Sequence, residues 1–135
     1  MIKSKIWVDW MAVILSIKPK YVKEIMEGKK KYELRKKIFK KNVSRVYIYE
    51  SSPTKKIVAS FKIGKIIEND PITLWKKLNP HLGIDEQEYL EYFQNCEKAY
   101  AIEITNLRSI EPLEPTTAIQ DFCAPQSFSY CSLVL

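Results

Sequence analysis

The sequence predicts an α+β fold built on a small mixed or antiparallel β-barrel of five or six strands, flanked by about three helices. Short apolar runs of strand length recur along the chain and are separated by turn residues. Three other segments carry their apolar residues at helical spacing. With 135 residues, 46% of them apolar, the chain is long enough for one domain and can bury a core.

The first elements form a strand–helix–strand unit. The apolar run over residues 12–18 predicts a strand, and Pro19 suits the first turn of the helix that follows. Gly28 is a natural helix stop. The alternation of apolar and polar side chains over residues 31–39 then predicts a second strand.

The later elements follow at short intervals. Strands are predicted over residues 45–50, 57–67, 99–110 and 128–134, and helices over residues 71–78 and 85–95. Asp70 and Asp85 are expected to cap the two helices, and Gly64 predicts a bulge or bend within its strand. Tyr89, Tyr92 and Phe93 share helical spacing and are expected in the core.

Domain organisation and cellular class follow from what the sequence lacks. We expect residues 1–10 to form an N-terminal extension and residues 11–135 a single domain. No apolar run approaches the roughly 18–20 residues of a membrane span, and the first residues lack the pattern of a signal peptide. A cytoplasmic protein without a membrane partner is therefore expected, and its oligomeric state is left open.

Neither a metal nor a cofactor is predicted. The three cysteines, Cys96, Cys123 and Cys131, are odd in number and show no CxxC spacing. His81 is the sole histidine, so the sequence contains no credible zinc-binding set.

Charge is distributed very unevenly along the chain. Residues 1–67 carry 18 basic and 5 acidic side chains, a balance of +13, whereas residues 68–135 carry 4 and 11, a balance of −7. A surface of this kind attracts a polyanion to one side of a protein. It predicts a nucleic-acid partner, the alternative being a lysine-rich surface that only promotes solubility.

The segment from Gly28 to Arg35 fits the pattern GxKxxExR. On a strand, Glu33 and Arg35 face the same side and Leu34 faces the other. A guanidinium beside a carboxylate can hold a phosphate or a base edge with two hydrogen bonds. The alternative is an ordinary ion pair that stabilises the corner between helix and strand.

This motif, together with the segments around it, resembles the ASCH family of the PUA-like superfamily. The similar segments are, in order, LSIKPKYVKEIMEGKK, VYIYESSP, KIVASFKIGKI, GIDEQEYLEYF, KAYAIEI and APQSFSY, within residues 11–131. The last of these segments resembles the terminal P-Q-S motif of many small bacterial and phage members. The resemblance implies a PUA-like barrel that binds RNA or a modified nucleotide in a basic cleft.

Ten residues are candidates for nucleic-acid binding, some from charge and others from their places in the family pattern. They are Lys18, Lys29, Lys30, Lys31, Glu33, Arg35, Tyr49, Ser52, Gln126 and Ser127. Tyr49 can stack on a base, and Gln126 can read a base edge as donor and acceptor. Packing of the tyrosine, turn formation by Ser52 and backbone capping by Gln126 are the alternatives.

Three functions remain open at this point. The first is an RNA- or modified-nucleotide-binding module, and the second a small hydrolase, either a nuclease or a cytidine amidohydrolase, with Lys30, Glu33 and Arg35 as catalytic candidates. The third is a regulatory module that binds a protein through the acidic helix over residues 85–97. The resemblance to ASCH-like amidohydrolases implies a nucleophilic threonine at position 33. Glu33 stands there instead, and a carboxylate is a weak nucleophile for that reaction.

Overall fold

The computed structural model describes residues 12–40, 42–115 and 128–131, the last four by their main-chain pairing. The helices are α1 (Pro19–Met26), α2 (Pro71–Leu78) and α3 (Glu86–Tyr92), with a 3-10 turn at Asn79–His81. The strands are β1 (Ala12–Ile17), β2 (Tyr32–Arg35), β3 (Arg45–Glu50), β4 (Lys56–Asn69), β5 (Ala99–Leu113) and β6 (Phe128–Cys131). Residues 1–10 lie outside the described part.

All six strands form one mixed sheet in the order β2-β5-β4-β3-β1-β6. β1 and β3 are parallel, and the other neighbouring pairs are antiparallel. The predicted α+β class and the strand number are confirmed. Between the described residues no main-chain pairing joins β2 to β6, so there the sheet is open where a closed barrel was predicted.

β2 is shorter than the predicted strand over residues 31–39. It ends at Arg35, and the chain bends at Lys36 and Lys37. The bend has a packing reason, because Leu34 belongs to the cluster beneath α2 and α3 whereas Phe39 is buried in the main core beside α1. A straight strand cannot deliver both side chains to these two clusters.

The main core lies between α1 and the central strands. Val22 and Ile25 on one side of α1 are buried against β1, β3 and β4, where Val13, Ile48 and Phe61 are fully buried. Burying an aliphatic side chain of this size contributes about 1.5–3 kcal/mol, so this face fixes the position of the helix. The end of α1, and with it the start of the GxKxxExR segment, is thereby placed over the sheet.

Local signals in the sequence fix the other corners. The carboxylates of Asp70 and Asp85 accept hydrogen bonds from main-chain N–H groups three residues later, at 3.0 and 2.9 Å, and so cap α2 and α3 as predicted. The register of β4 against β5 shifts between Ile63 and Ile66, which confirms the bulge expected at Gly64. A Cβ at position 64 would lie 2.3 Å from a carboxylate oxygen of Glu103.

Candidate functional site

A cleft of about 450 Å³ opens between the end of β1, the strand β2 and the helix α3. Its lining is mixed, with four basic or acidic side chains from the first half of the chain and two carboxylates from α3. The lining residues are Ser16, Ile17, Lys18, Tyr21, Lys30, Glu33, Leu34, Arg35, Ile84, Glu88, Glu91 and Tyr92. The cleft has the size of a small-ligand site.

Lys30 lies in the wall of this cleft and is only 4% exposed. Its Nζ donates a hydrogen bond to the main-chain oxygen of Leu82 at 2.9 Å and lies 5.3 Å from the centre of the Tyr21 ring. Burial lowers the pKa of Lys30, an effect that the nearby carboxylate of Glu33 opposes. A lysine in this environment gives up its proton more readily than an exposed one.

The burial of Lys30 depends on the turn that follows the 3-10 helix. Lys30 and Leu82 form an isolated antiparallel bridge, and Gly83 adopts a φ of +59° directly against the lysine. A Cβ at position 83 would lie 2.5 Å from the Cβ of Lys30. Gly83 is therefore required both for its backbone conformation and for the space it leaves.

Glu33 and Arg35 form a buried ion pair at the base of the cleft. Nη2 of Arg35 lies 2.9 Å from Oε2 of Glu33, and each side chain is 9% exposed. Arg35 also donates from Nη2 to the main-chain oxygen of Ser16 at 3.1 Å. Tyr32 and Leu34 pack on the opposite side of β2, so the predicted division of faces is confirmed.

The opposite wall of the cleft contains residues that the sequence did not single out. Tyr21 on α1 donates a hydrogen bond to Oε2 of Glu88 on α3, and Nζ of Lys20 lies 2.7 Å from the same oxygen. Hydrogen bonds from Lys20 and Tyr21 lower the pKa of Glu88. Burial, reinforced by the hydrogen bond to Glu88, raises the pKa of Tyr21, which keeps its hydroxyl protonated.

Tyr92 was predicted in the core, but the structure places it at the cleft. Tyr89 and Phe93 are buried as expected, whereas Tyr92 is 36% exposed, lines the cleft and donates to the main-chain oxygen of Leu34 at 3.4 Å. Helical spacing assigned all three to one face, and α3 is rotated so that Tyr92 lies at the edge of that face. Nζ of Lys36 lies over its ring, 4.8 Å from the centre.

The other predicted binding residues are dispersed. Lys18 lines the cleft. Lys29 is exposed and 3.3 Å from Glu27, and Lys31 lines a separate cavity of about 400 Å³ beside His81.

Two further candidates, Tyr49 on β3 and Ser52 in the loop after β3, also lie apart from each other. Tyr49 is 6% exposed and packs in a buried cluster with Tyr47 and Ile57. Ser52 is exposed in the loop that follows β3. Gln126 and Ser127 lie outside the described residues.

Comparison with known proteins adds the family. The model of the ASCH domain matches residues 15–110, which include the GxKxxExR segment and every described lining residue of the cleft. This chain belongs to the ASCH family. The resemblance noted from the sequence is thereby confirmed, and the cleft described above is the cleft of an ASCH domain.

Comparisons with ASCH proteins of Zymomonas mobilis show how far the similarity extends. This ASCH domain is 31% identical over 129 residues to an ASCH domain-containing ribonuclease, covering 90% of this chain and 85% of that protein. It superposes on the crystal structure of an ASCH protein with a TM-score of 0.83 and 29% identity, covering 91% and 89% of the two chains. A variant with one tyrosine changed to phenylalanine gives a TM-score of 0.82, 28% identity and 89% coverage of both chains.

No helix between residues 12 and 115 is long and apolar enough to cross a membrane. Over the same described positions, no group of three or more His, Cys, Asp or Glu side chains is placed to hold a metal ion.

Proposed function

We propose that this ASCH domain binds single-stranded RNA in the cleft and cleaves it. The observation that carries the proposal is the buried set of Lys30, Glu33 and Arg35 in the wall of the cleft. Buried charged groups are costly unless they pair, so such a set in a cleft is typical of a site that binds or transforms a charged ligand. The similarity to a protein named as a ribonuclease supports RNA as that ligand.

The positions of the basic groups suit a phosphate of the RNA backbone. The guanidinium of Arg35 is fixed by Glu33 and by the main-chain oxygen of Ser16. The side chain therefore loses little conformational entropy when it binds a phosphate. Lys18 adds a charge at the mouth of the cleft. The remaining exposed lysines in the first half of the chain attract the RNA strand without fixing its register.

Cleavage is proposed to use the ribose hydroxyl of the RNA itself. Glu33 takes the proton from the 2′-hydroxyl, and the 2′-oxygen forms a bond to the adjacent phosphorus. Arg35 neutralises the charge that develops on the non-bridging oxygens. The bond from phosphorus to the 5′-oxygen breaks, and Lys30 donates its proton to the leaving oxygen. The products are a 2′,3′-cyclic phosphate and a 5′-hydroxyl.

The structure supports Lys30 as the proton donor in this scheme. Burial lowers the pKa of Lys30, and a weaker hold on the proton makes an acid more effective near neutral pH. General acid–base catalysis by a positioned group contributes a factor of roughly 10²–10⁴ in rate.

The test is cleavage of a single-stranded RNA oligomer, with the products identified by mass. We expect a 2′,3′-cyclic phosphate, and we expect that a substrate with 2′-deoxyribose at the cleaved position binds but stays intact. Lys30→Met should lower the rate at least about 100-fold. Lys37→Met, a change at an exposed lysine close by, is the matched control and should have little effect. Intact RNA after incubation with the native protein would contradict the proposal of cleavage, and absence of binding would contradict both parts.

A further inference from the structure

The cleft carries charges of both signs on opposite sides. Lys30 and Arg35 lie on one side, and α3 contributes Glu88 and Glu91, which are one helical turn apart. Glu88 is compensated by the ammonium group of Lys20 and by the hydroxyl of Tyr21. Glu33 offsets one of the two cations on the first side, which leaves that side net positive. A phosphate is therefore attracted to the first side and repelled by Glu91 on the second.

Glu91 differs from Glu88 in its partners. Its Oε1 accepts a hydrogen bond from the side-chain amide of Gln87 at 3.0 Å. None of the ion pairs between described residues includes Glu91, so its charge is not neutralised by a neighbouring cation there. The amide of Gln87, one turn earlier on α3, helps to hold the carboxylate in place at the cleft.

In the proposed complex the phosphate lies at Arg35 and the base extends toward α3. Tyr92 and Ile84 line this part of the cleft and offer apolar surface to the face of a base. An ionised carboxylate only accepts hydrogen bonds, and it can accept two side by side. Guanine presents two adjacent donors, N1–H and the 2-amino group, on its Watson–Crick edge. Adenine, cytosine and uracil each combine one donor with acceptors on that edge, and the acceptors repel a carboxylate.

We propose that Glu91 reads the Watson–Crick edge of a guanine, which makes this ASCH domain selective for RNA with a guanine at the cleft. The inference rests on the proposed binding of RNA and names the specificity of the same site. Glu91 is a specificity-determining residue in this scheme, and it takes no part in bond breaking.

The test measures binding to labelled oligouridine hexamers that carry one central guanine, adenine, cytosine or hypoxanthine. The hexamers are 2′-fluoro-substituted, because they then lack the attacking hydroxyl and stay intact. We expect guanine to be bound about tenfold or more tightly than adenine, as for one bidentate base contact. Hypoxanthine keeps N1–H but lacks the 2-amino group, and its affinity should fall between the two.

Two variants assign the preference to one side chain. Glu91→Gln should reduce the preference for guanine over adenine to less than about twofold. Glu86→Gln makes the same change of charge on α3, but Glu86 lines a different cavity, beside Ile72 and Trp75. This variant should keep the preference for guanine.

Each contrary result has a distinct meaning. Equal affinity of the native protein for all hexamers overturns the guanine inference and leaves RNA binding standing. A preference for guanine that survives Glu91→Gln also overturns it. Absence of binding to every hexamer at low salt overturns both the inference and the proposed function.

Discussion

Arg35 on β2 donates a hydrogen bond to the main-chain oxygen of Ser16 on β1, at 3.1 Å, although three strands separate β2 from β1 in the sheet. The sheet must curve strongly for these two strands to approach each other. Where a closed barrel would have a main-chain ladder, this structure has this side-chain hydrogen bond and a cleft beside it. Arg35 therefore links two distant strands and contributes charge to the cleft.

Removal of Arg35 should destabilise the protein strongly. Arg35→Met leaves the carboxylate of Glu33 buried without its cation, which typically costs about 3–5 kcal/mol in the free energy of unfolding. The double variant Glu33→Met with Arg35→Met removes both charges and should be more stable than the single variant. Urea denaturation of the three proteins measures the difference. A double variant less stable than Arg35→Met would show that the pair is not coupled as the structure indicates.

The stability of the protein should depend on pH through Lys30. Burial lowers the pKa of Lys30 from its ordinary value of 10.5. Between the lowered pKa and 10.5 the unfolded chain holds a proton that the native protein has released, so this group makes stability rise with pH in that window. Relative to Lys30→Met, the native protein should gain stability as the pH rises from neutral toward 10.

This comparison needs a baseline for the other groups that titrate at high pH. Lys29→Met replaces an exposed lysine of the same segment and supplies it. Urea denaturation at four pH values gives the difference in the free energy of unfolding between each variant and the native protein. A difference between the native protein and Lys30→Met that falls with pH would contradict the burial of the ammonium group.

Salt should weaken RNA binding steeply, with a log–log slope of about −0.7 for each phosphate contacted on a single strand. Lys29 and Lys31 are exposed and lie outside the cleft, so alanine at either position should weaken binding to all sequences alike. The slope should become shallower by less than about one unit. Arg35→Ala should reduce affinity more. Fluorescence titrations at several salt concentrations measure these effects, and binding that is insensitive to salt would contradict the phosphate contacts.

The native protein should deacylate N4-acylated cytidine poorly or not at all. Glu33 stands at the position where the resemblance to ASCH-like amidohydrolases implies a nucleophilic threonine, and its carboxylate is held at 2.9 Å by Arg35. Glu33→Thr recreates the arrangement Lys-x-x-Thr-x-Arg and is the direct test, followed by chromatography of the nucleoside products. Turnover by the native protein at roughly 1 per second or faster, with no gain in Glu33→Thr, would make Glu33 itself catalytic.

Two glycines allow a matched test of how Lys30 is positioned. Gly28 and Gly83 both have positive φ, at +79° and +59°, and alanine at either site costs roughly 1–3 kcal/mol in backbone strain. Only at Gly83 would the new Cβ also collide with Lys30, since nothing lies within 4 Å of a Cβ at position 28. Gly83→Ala should therefore reduce both RNA cleavage and the free energy of unfolding more than Gly28→Ala does. Equal activities would contradict the close approach.

Local patterns were sufficient to predict the order of elements, the helix caps and the shared face of Glu33 and Arg35. These features depend on residues within a few positions of each other in the chain. The second wall of the cleft was not predicted, because Glu88 and Tyr92 reach it only through the packing of α3 against β2. The spacing of their apolar neighbours defines a helix face but not how far that face rotates.

Tyr49 shows, in a strand, the same limit of local patterns: they assign a side chain to a face but do not tell what covers that face. The alternation in β3 correctly placed Val46 and Ile48 on one side and the two tyrosines on the other. Tyr49 was proposed as a stacking surface, yet β3 lies between β1 and β4 and both of its faces are covered. Apolar side chains on both faces are typical of a central strand. Residues 46–49 show this pattern, so the signal was present in the sequence.

The segment around Leu82 also affects how the protein behaves at high concentration. β2 stands at the end of the sheet, and strands in that position can recruit the backbone of another molecule. The main-chain N–H of Lys31, just before β2, donates to His81 at 2.8 Å, and Lys30 is bridged to Leu82, so the approach to this edge is occupied. Lys36 and Lys37 add charge where the strand ends. Shortening this segment would favour edge-to-edge aggregation.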